Sequence, residues 1–161
     1  MKAHFDCPEH LARLQYHAVS WLHTPFMPNA AIKGSGVSCQ KLVGRIYIEC
    51  GFLPPDFVIP EGPMDWSAAQ KTSLISEFMN AQPQFAVVTA PAQTGDMVGF
   101  KLGGCLHHCG LMLFADGKFI HCLRNRGTII SNLRDATYAG RIQRIWRPIV
   151  GAGVPPGVHH A

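Results

Sequence analysis

The sequence contains no apolar run that approaches the roughly 20 residues needed to span a membrane as a helix. Its start, MKAHFDCPEH, also lacks the apolar segment that follows the basic residues of a secretory signal peptide. Only 15% of the residues are charged and 47% are hydrophobic, which excludes a disordered chain and favours a packed core. We therefore expect a soluble protein with no membrane span and no signal peptide, for which any export needs a dedicated route.

Nucleic-acid-binding motifs are missing as well, although the formal net charge is +4. The arginines near the C-terminus that contribute to this charge are Arg124, Arg126, Arg134, Arg141, Arg144 and Arg147. Few aromatic residues interleave with them, so a solvated strand face is favoured over an RNA or DNA site. We expect no nucleic-acid partner, and a polyanionic envelope or a peptide carboxylate is the alternative partner for this charge.

The pattern of apolar residues predicts helices first and strands afterwards. Helical spacing covers Pro8–Trp21, Cys39–Cys50 and a segment from Ser67 to about Asn80, with a loop at 23–36 and Gly51 placed as a helix cap. Short strands separated by Gly, Asp or Asn follow at 85–89, 97–102, 107–113, 118–123, 128–133 and 142–146. This order predicts an α+β fold, with the helices packed on an antiparallel meander of about five to six strands.

The chain length of 161 residues fits one domain, and no internal repeat or domain boundary is visible. We expect a single domain over 1–161, with its core at about 8–148 and a loose Gly- and Pro-rich tail at 151–161.

Six cysteines without a signal peptide predict reduced, mostly buried thiols rather than a disulfide framework. Cys39 differs from the others because it follows the glycine-containing turn 33–38 and opens the second predicted helix. The partial positive charge of a helix N-terminus favours the nucleophilic thiolate, and its free N–H groups can stabilise an oxyanion. Cys39 is therefore a candidate nucleophile, with an ordinary buried thiol as the alternative.

A candidate base and its orienting partner lie on the predicted hairpin at 107–123. Because side chains alternate between faces, His108 and His121 share a face only if the hairpin loop has an even number of residues. A two- or four-residue loop across Ala115–Gly117 meets this condition. The four-residue version sets His121 opposite Gly110 and diagonal to His108, with Gly110 leaving room between the imidazoles. His108 then suits the role of base for Cys39, oriented by His121; for each histidine, a core or surface imidazole is the alternative.

A zinc site is the rival assembly for the same region. Its candidate ligands cluster in sequence as Cys105, His107, Cys109, His121 and Cys122. No C-x-x-C pair is present, however, and a single flat strand rarely surrounds a tetrahedral ion. We therefore expect no metal ligands here.

Several segments together resemble the NlpC-type family of cell-wall cysteine peptidases. WLHTPF at 21–26 and KGSGVSCQKLV at 33–43 are similar to the family's W-L-G-T-P-Y, K-G-x-G and D-C-x-G-L-V segments. GDMVGF at 95–100, HCGL at 108–111 and IH at 120–121 are similar to G-D-V-x-x-F, H-x-G-I and I-H-A. The resemblance spans about residues 12 to 148 in the right order, and the proline-linked middle and closing strand are most similar to the phage-tail and prophage branch.

The resemblance implies a papain-like core that cleaves γ-D-glutamyl–diamino-acid bonds in peptidoglycan stem peptides. It implies Cys39 as nucleophile, His108 as general base and His121 as the residue that orients His108, with no metal and no organic cofactor. The implied partners are a peptidoglycan peptide or another small peptide amide, and phage-tail proteins. The implied location is cytoplasmic or in a virion tail, with action on the cell envelope after delivery.

Three residues depart from the family pattern beside the nucleophile. Ser38 stands where the family has Asp, Phe26 where it has Tyr, and Lys41 where it has Gly. Together with Gln40, these residues are the candidates for substrate or oxyanion contacts, and Lys41 would either crowd the site or bind a substrate carboxylate. The departures leave two alternatives open: a weak or inactive phage-tail module of the same fold, or an acyltransferase acting on another amide.

Overall fold

The structure is a computed structural model that describes residues 1–62, 73–101 and 106–151. Its helices are α1, Pro8–Val19, α2, Cys39–Glu49, and α3, Leu74–Asn80. Among the described residues, no helix has the length and apolar character required to cross a bilayer. The three helices precede the strands of the large sheet, in agreement with the sequence pattern, and two short strands lie between α1 and α2.

Within the described residues, the strands form one large sheet and one small ribbon. The ribbon pairs β1, Ala31–Ile32, with β2, Gly36–Val37. The large sheet consists of β3, Phe85–Val87, β4, Met97–Lys101, β5, Leu106–Met112, β6, Lys118–Leu123, β7, Gly127–Asn132, and β8, Ile142–Pro148. Its spatial order is β3-β8-β4-β5-β6-β7, and every neighbouring pair is antiparallel. The predicted α+β fold with helices packed on an antiparallel sheet is confirmed.

The order of the strands corrects one expectation. Only β4 to β7 form a meander, because β8 returns from the end of the chain and inserts between β3 and β4. Trp146 of β8 pairs with Val87 on one side and with Met97 on the other, and its side chain is fully buried. This pairing joins strands far apart in sequence, so the local periodicity of β8 could not place it between two partners.

The ends of the helices also refine the expectations. α1 stops at Val19, two residues before the predicted Trp21, and the predicted loop at 23–36 contains the β1–β2 ribbon. α2 ends before Gly51, whose φ of +84° is the left-handed conformation of a helix cap. The predicted N-cap Ser67 and the residues of the loose tail after Gly151 lie outside the described residues.

The two faces of the large sheet pack against different layers. On one face α1 and α2 cover a core that includes Leu42, Ile46, Leu111, Ile120 and Trp146. On the opposite face a smaller apolar cluster is formed by Val98, Phe100, Met112, Phe119 and Tyr138. Strand alternation assigns His108 and His121 to this second face, since His108 pairs with Phe100 and His121 follows Phe119 by two residues.

Candidate active site

Cys39 is the first residue of α2, as the sequence predicts. Ser38 before it is extended, with φ −96° and ψ 166°, so the chain turns directly from β2 into the helix. At Gly36, a Cβ would meet Met27 Cβ at 2.7 Å, so this position needs glycine to bring the turn close to Met27. The Cys39 side chain is 8% exposed and lies where the free N–H groups of the helix start converge.

The hairpin that carries the two histidines has a four-residue loop, the longer of the two even lengths that the sequence left open. Leu113 N–H donates to the Lys118 carbonyl at 2.9 Å, and Gly117 supplies the left-handed residue of the loop with φ +89°. The β5–β6 ladder pairs Leu111 with Ile120. Continuing this register sets His121 opposite Gly110.

Gly110 has a different neighbour from the one expected. A Cβ at Gly110 would meet the Phe119 ring at 2.7 Å and the Ile120 carbonyl oxygen at 3.1 Å. The missing side chain therefore makes room for Phe119, rather than for the two imidazoles.

The β5 and β6 strands part beside the histidines. Within the described residues, their ladder comprises the pairs Leu111 with Ile120 and Met112 with Phe119. Beyond these pairs β5 continues alongside β4, and β6 continues alongside β7 as far as Leu123. The sheet therefore opens at this point, which lets the start of α2 on one face approach His108 on the other.

The gap between the strands is bridged by a line of hydrogen bonds. His108 Nε2 lies 2.8 Å from His121 Nδ1, and His121 Nε2 lies 2.9 Å from Ser131 Oγ. His108 is 7% exposed and His121 is fully buried. Because Nε2 of His108 is engaged with His121, its Nδ1 is the nitrogen left to exchange a proton with Cys39.

Hydrogen bonds and charge hold the pKa of Cys39 well below its usual range. The largest cause is a hydrogen bond from the Cys109 side chain, followed by a hydrogen bond and favourable charge from His108, while burial opposes both. The pKa of Cys109 is raised well above its usual range by the same contact and by burial, so the proton stays on Cys109. Burial also raises the pKa of Cys50 and of Cys122. The charged thiol of this group is therefore Cys39.

His121 is held neutral by its surroundings. Its ring packs against Phe119 at 4.7 Å and against Tyr138 at 5.3 Å between centroids. Burial, together with the positive charges of His108 and Arg126, lowers its pKa to about 3. A neutral His121 can accept a hydrogen bond at one ring nitrogen and donate a hydrogen bond from the other.

The other predicted site residues lie around Cys39 in different ways. The buried Ser38 hydroxyl has no hydrogen-bond partner within the described structure. Gln40 Oε1 lies 3.4 Å from Cys39 Sγ. The Phe26 backbone forms a parallel β-bridge with Val37, and the Arg124 guanidinium lies 5.5 Å from the centroid of the Phe26 ring. Gln40 thus contacts the thiol directly, whereas Ser38 precedes Cys39 in the chain and Phe26 pairs with the strand that leads into it.

Lys41 holds the chain segment after α2 instead of crowding Cys39. Its ammonium donates to the Ile59 carbonyl at 2.7 Å, and residues two apart on a helix do not face each other. The Asn29 side chain adds two hydrogen bonds to the Gly62 backbone, at 2.8 and 3.1 Å. These contacts join the proline-containing connector, residues 54–62, to α2 through Lys41 and to the loop before β1 through Asn29.

The connector and α2 enclose an apolar cleft with about 650 Å³ of space, part of it open to solvent. Gln40, Val43, Gly44 and Tyr47 line it along one side of α2, so the cleft begins one residue from Cys39. Apolar side chains of the connector, α3 and β4 form most of its remaining wall, including Phe57, Ile59, Phe78 and Met97. The cleft therefore lies along the side of α2 that carries Gln40, the residue that follows Cys39 in the chain.

Two site residues were missed by the sequence reasoning. Ser131 shares the face of His121, because it pairs with Phe119 across the β6–β7 ladder, so strand alternation extended by one hairpin would have found it. Cys109 was placed on the face away from His108, and only the gap between the strands brings both side chains to Cys39. No local sequence signal predicts this gap.

The rival zinc assembly does not form among the residues that the structure describes. No group of three or more His, Cys, Asp or Glu side chains in this part of the chain is arranged to hold a metal ion. Cys105, one of the candidate ligands, lies outside the described residues.

Comparison with known proteins identifies the fold through solved structures. No protein-family model matches the chain, and no curated protein matches its sequence. The NlpC/p60 domain of the peptidoglycan hydrolase SagA is similar with a TM-score of 0.54 at 14% identity, covering 84% of this chain and 96% of that domain.

Two longer bacterial proteins are similar to the same extent. An NLP/P60-family protein from Staphylococcus aureus, described as similar to a lipoprotein, has a TM-score of 0.56 at 19% identity and 90% coverage of this chain. An NlpC/P60-family protein from Bacillus cereus has a TM-score of 0.55 at 21% identity and 84% coverage. The match spans 43% and 39% of their lengths, respectively. The chain therefore has the fold of NlpC/p60 domains.

Proposed function

We propose that this chain is a cysteine peptidase that hydrolyses the γ-D-glutamyl–diamino-acid bond of peptidoglycan stem peptides. The observation that carries the proposal is the line from Cys39 to His108 and His121, with a 2.8 Å contact between the imidazoles and a lowered pKa at Cys39. Nucleophile, base and orienting group are the parts that amide cleavage by a thiol requires. The fold shared with the SagA domain, which belongs to a peptidoglycan hydrolase, supports the choice of substrate.

In the acylation step the Cys39 thiolate attacks the substrate carbonyl carbon. Free N–H groups at the start of α2 stabilise the oxyanion, and the unpaired Ser38 hydroxyl is a further donor beside them. The imidazolium of His108 then gives its proton to the departing amine, so the C–N bond breaks and a thioester to Cys39 forms. In deacylation, His108 takes a proton from water, the hydroxide attacks the thioester, and the proton returns to the thiol–imidazole pair as the acid leaves.

Hydrolysis of a synthetic L-Ala-γ-D-Glu-diaminopimelate tripeptide tests the proposal through the release of free diaminopimelate. The α-linked isomer of the same tripeptide is the matched substrate control and should not be cleaved. Cys39→Ala should abolish cleavage, whereas Cys50→Ala, which removes a buried thiol outside the site, should leave it unchanged. Failure of the wild-type protein to cleave either peptide, with an unreactive Cys39, would leave a non-catalytic module of the same fold, such as a phage-tail component.

A second candidate function is acyl transfer from a substrate with an apolar acyl group. The apolar cleft that begins at Gln40 favours it, because a γ-D-glutamyl group is polar and ionised whereas the cleft wall is mostly aliphatic and aromatic. Formation of a stable thioester at Cys39 from an octanoyl amide or thioester, detected by mass spectrometry, would support this candidate. If the octanoyl probe forms no adduct while the tripeptide is cleaved, the acyl-transfer function is excluded.

A further inference from the structure

The Ser131 hydroxyl ends the hydrogen-bond line that begins at the nucleophile. Its oxygen lies 2.9 Å from His121 Nε2, while His121 Nδ1 lies 2.8 Å from His108 Nε2. Ser131 pairs with Phe119 in the β6–β7 ladder, which places its side chain on the face of the histidines. The position is therefore fixed by two regular strands rather than by a loop.

The direction of each hydrogen bond depends on which histidine carries the proton. When His108 has taken the proton from Cys39, both of its ring nitrogens bear hydrogen, so Nε2 donates to His121 Nδ1. His121 is neutral, since burial lowers its pKa to about 3, and its single hydrogen must then lie on Nε2. That N–H faces Ser131, whose oxygen is the acceptor it needs.

We propose that Ser131 is a positioning residue that holds His121 in the Nε2–H tautomer while His108 carries the proton from Cys39. The inference rests on the proposed function only in its use of the Cys39–His108 pair. Without an acceptor at position 131, the buried Nε2–H loses its partner, and the opposite tautomer of His121 becomes favoured. In that tautomer Nδ1–H points at His108 Nε2, which can then only accept, so His108 cannot hold the second proton.

Several titratable groups surround this line and must be kept constant in the test. Cys109 and Cys122 lie near Cys39, and Arg126 acts on His121 through its charge. Tyr138 packs edge-on against His121 at 5.3 Å. A useful pair of substitutions at Ser131 must therefore differ only in the hydroxyl, with the same side-chain size and no change at the neighbouring residues.

Ser131→Thr and Ser131→Val form the matched pair, because they have nearly the same shape and differ in one hydroxyl. Both residues favour strands, so both variants should fold, and a thermal melt checks this. The exposed Ser20 lies at the C-terminal end of α1, where its hydroxyl donates to the His17 carbonyl and accepts from the Lys33 ammonium. Because neither hydrogen bond involves His121, Ser20→Ala is the outside control. The probes are iodoacetamide for Cys39 and nitrogen-15 chemical shifts for the His121 tautomer.

We expect the wild-type protein and Ser131→Thr to show His121 as Nε2–H, and Ser131→Val to shift it towards Nδ1–H. Alkylation of Cys39 at about pH 6.5 should fall about tenfold in Ser131→Val, because its pH profile moves up by about one unit, and should be retained in Ser131→Thr. Equal tautomers and equal alkylation profiles in the two variants would overturn the inference. Neither readout needs a substrate, so a lack of peptidase activity counts against the proposed function and leaves this test intact.

Discussion

Buried titratable side chains stay uncharged on both faces of the sheet, although one face carries thiols and the other an imidazole. On the helix-covered face, burial and neighbouring contacts raise the pKa of Cys109 and Cys122, so both keep their protons. On the opposite face, burial lowers the pKa of His121 to about 3, so it stays uncharged. Cys39 lies where β5 and β6 part and contacts groups from both faces, and its pKa is lowered. The comparison teaches that burial favours the neutral forms of Cys109, Cys122 and His121 on the two faces, whereas the contacts of Cys39 favour its charged form.

Removing the charged partner from the gap should have the largest effect on this comparison. In His108→Gln the opposite charge is lost, and an opposite charge shifts a neighbouring pKa by about 1–3 units. Alkylation of Cys39 at about pH 6.5 should therefore fall about a hundredfold, as measured by peptide mapping after iodoacetamide treatment. In the wild-type protein Cys39 should be labelled before the other cysteines, and uniform slow labelling of all of them would contradict the assignment of Cys39 as nucleophile.

Cys109 offers a way to separate hydrogen bonding from charge. Cys109→Ala removes the largest single contribution to the lowered pKa of Cys39, whereas His108→Gln loses the charge of a residue that contributes both a hydrogen bond and a charge. A hydrogen bond to a charged group is worth about 2 kcal/mol. The alkylation rate of Cys39 near pH 6.5 should fall about thirtyfold. Cys109→Ser keeps a donor of similar size and should retain most of the rate. Equal rates in the Ala and Ser variants would show that the Cys109 thiol does not act through its hydrogen.

The sequence predicted the helices and strands of both faces better than the point beside Cys39 where β5 and β6 part. Helical spacing and strand alternation placed α2, β4–β7 and the face of His108, because these depend on neighbours in sequence. The parity of the strands required an even loop, of two or four residues, and so placed His121 on the face of His108, which it contacts. The insertion of β8 and the parting of β5 from β6 depend on pairing across the whole chain, so the contact of Cys109 with Cys39 had no local signature.

The neutral His121 should make the folded state sensitive to acid. Its pKa is about 3 in the folded protein and near 6.5 when unfolded, so between these values the unfolded chain binds a proton that the native state does not. The free energy of unfolding should therefore decrease as pH falls below about 6.5, by at most about 1.4 kcal/mol per pH unit from this group. Urea unfolding at about pH 7 and pH 5 measures it, with His121→Asn as the control that removes the titration and keeps an acceptor for His108. If the free energy of unfolding falls equally in the wild-type protein and in His121→Asn, the acid sensitivity belongs to other groups.

The smallest expected effect concerns Phe26, on the chain that pairs with the segment leading into Cys39. Phe26→Tyr introduces the hydroxyl of the NlpC-type pattern at a ring that lies beside the Arg124 guanidinium, on backbone that pairs with Val37. One added donor near the developing oxyanion should raise kcat/KM for the tripeptide by about fivefold, or ~1 kcal/mol, and leave the alkylation profile of Cys39 unchanged. Lys41→Met is the matched test of crowding, and because the Lys41 ammonium binds the Ile59 carbonyl, its loss should loosen the connector and bring no gain in rate. A higher kcat/KM in Lys41→Met, without an increase in Phe26→Tyr, would instead show that Lys41 crowds the site.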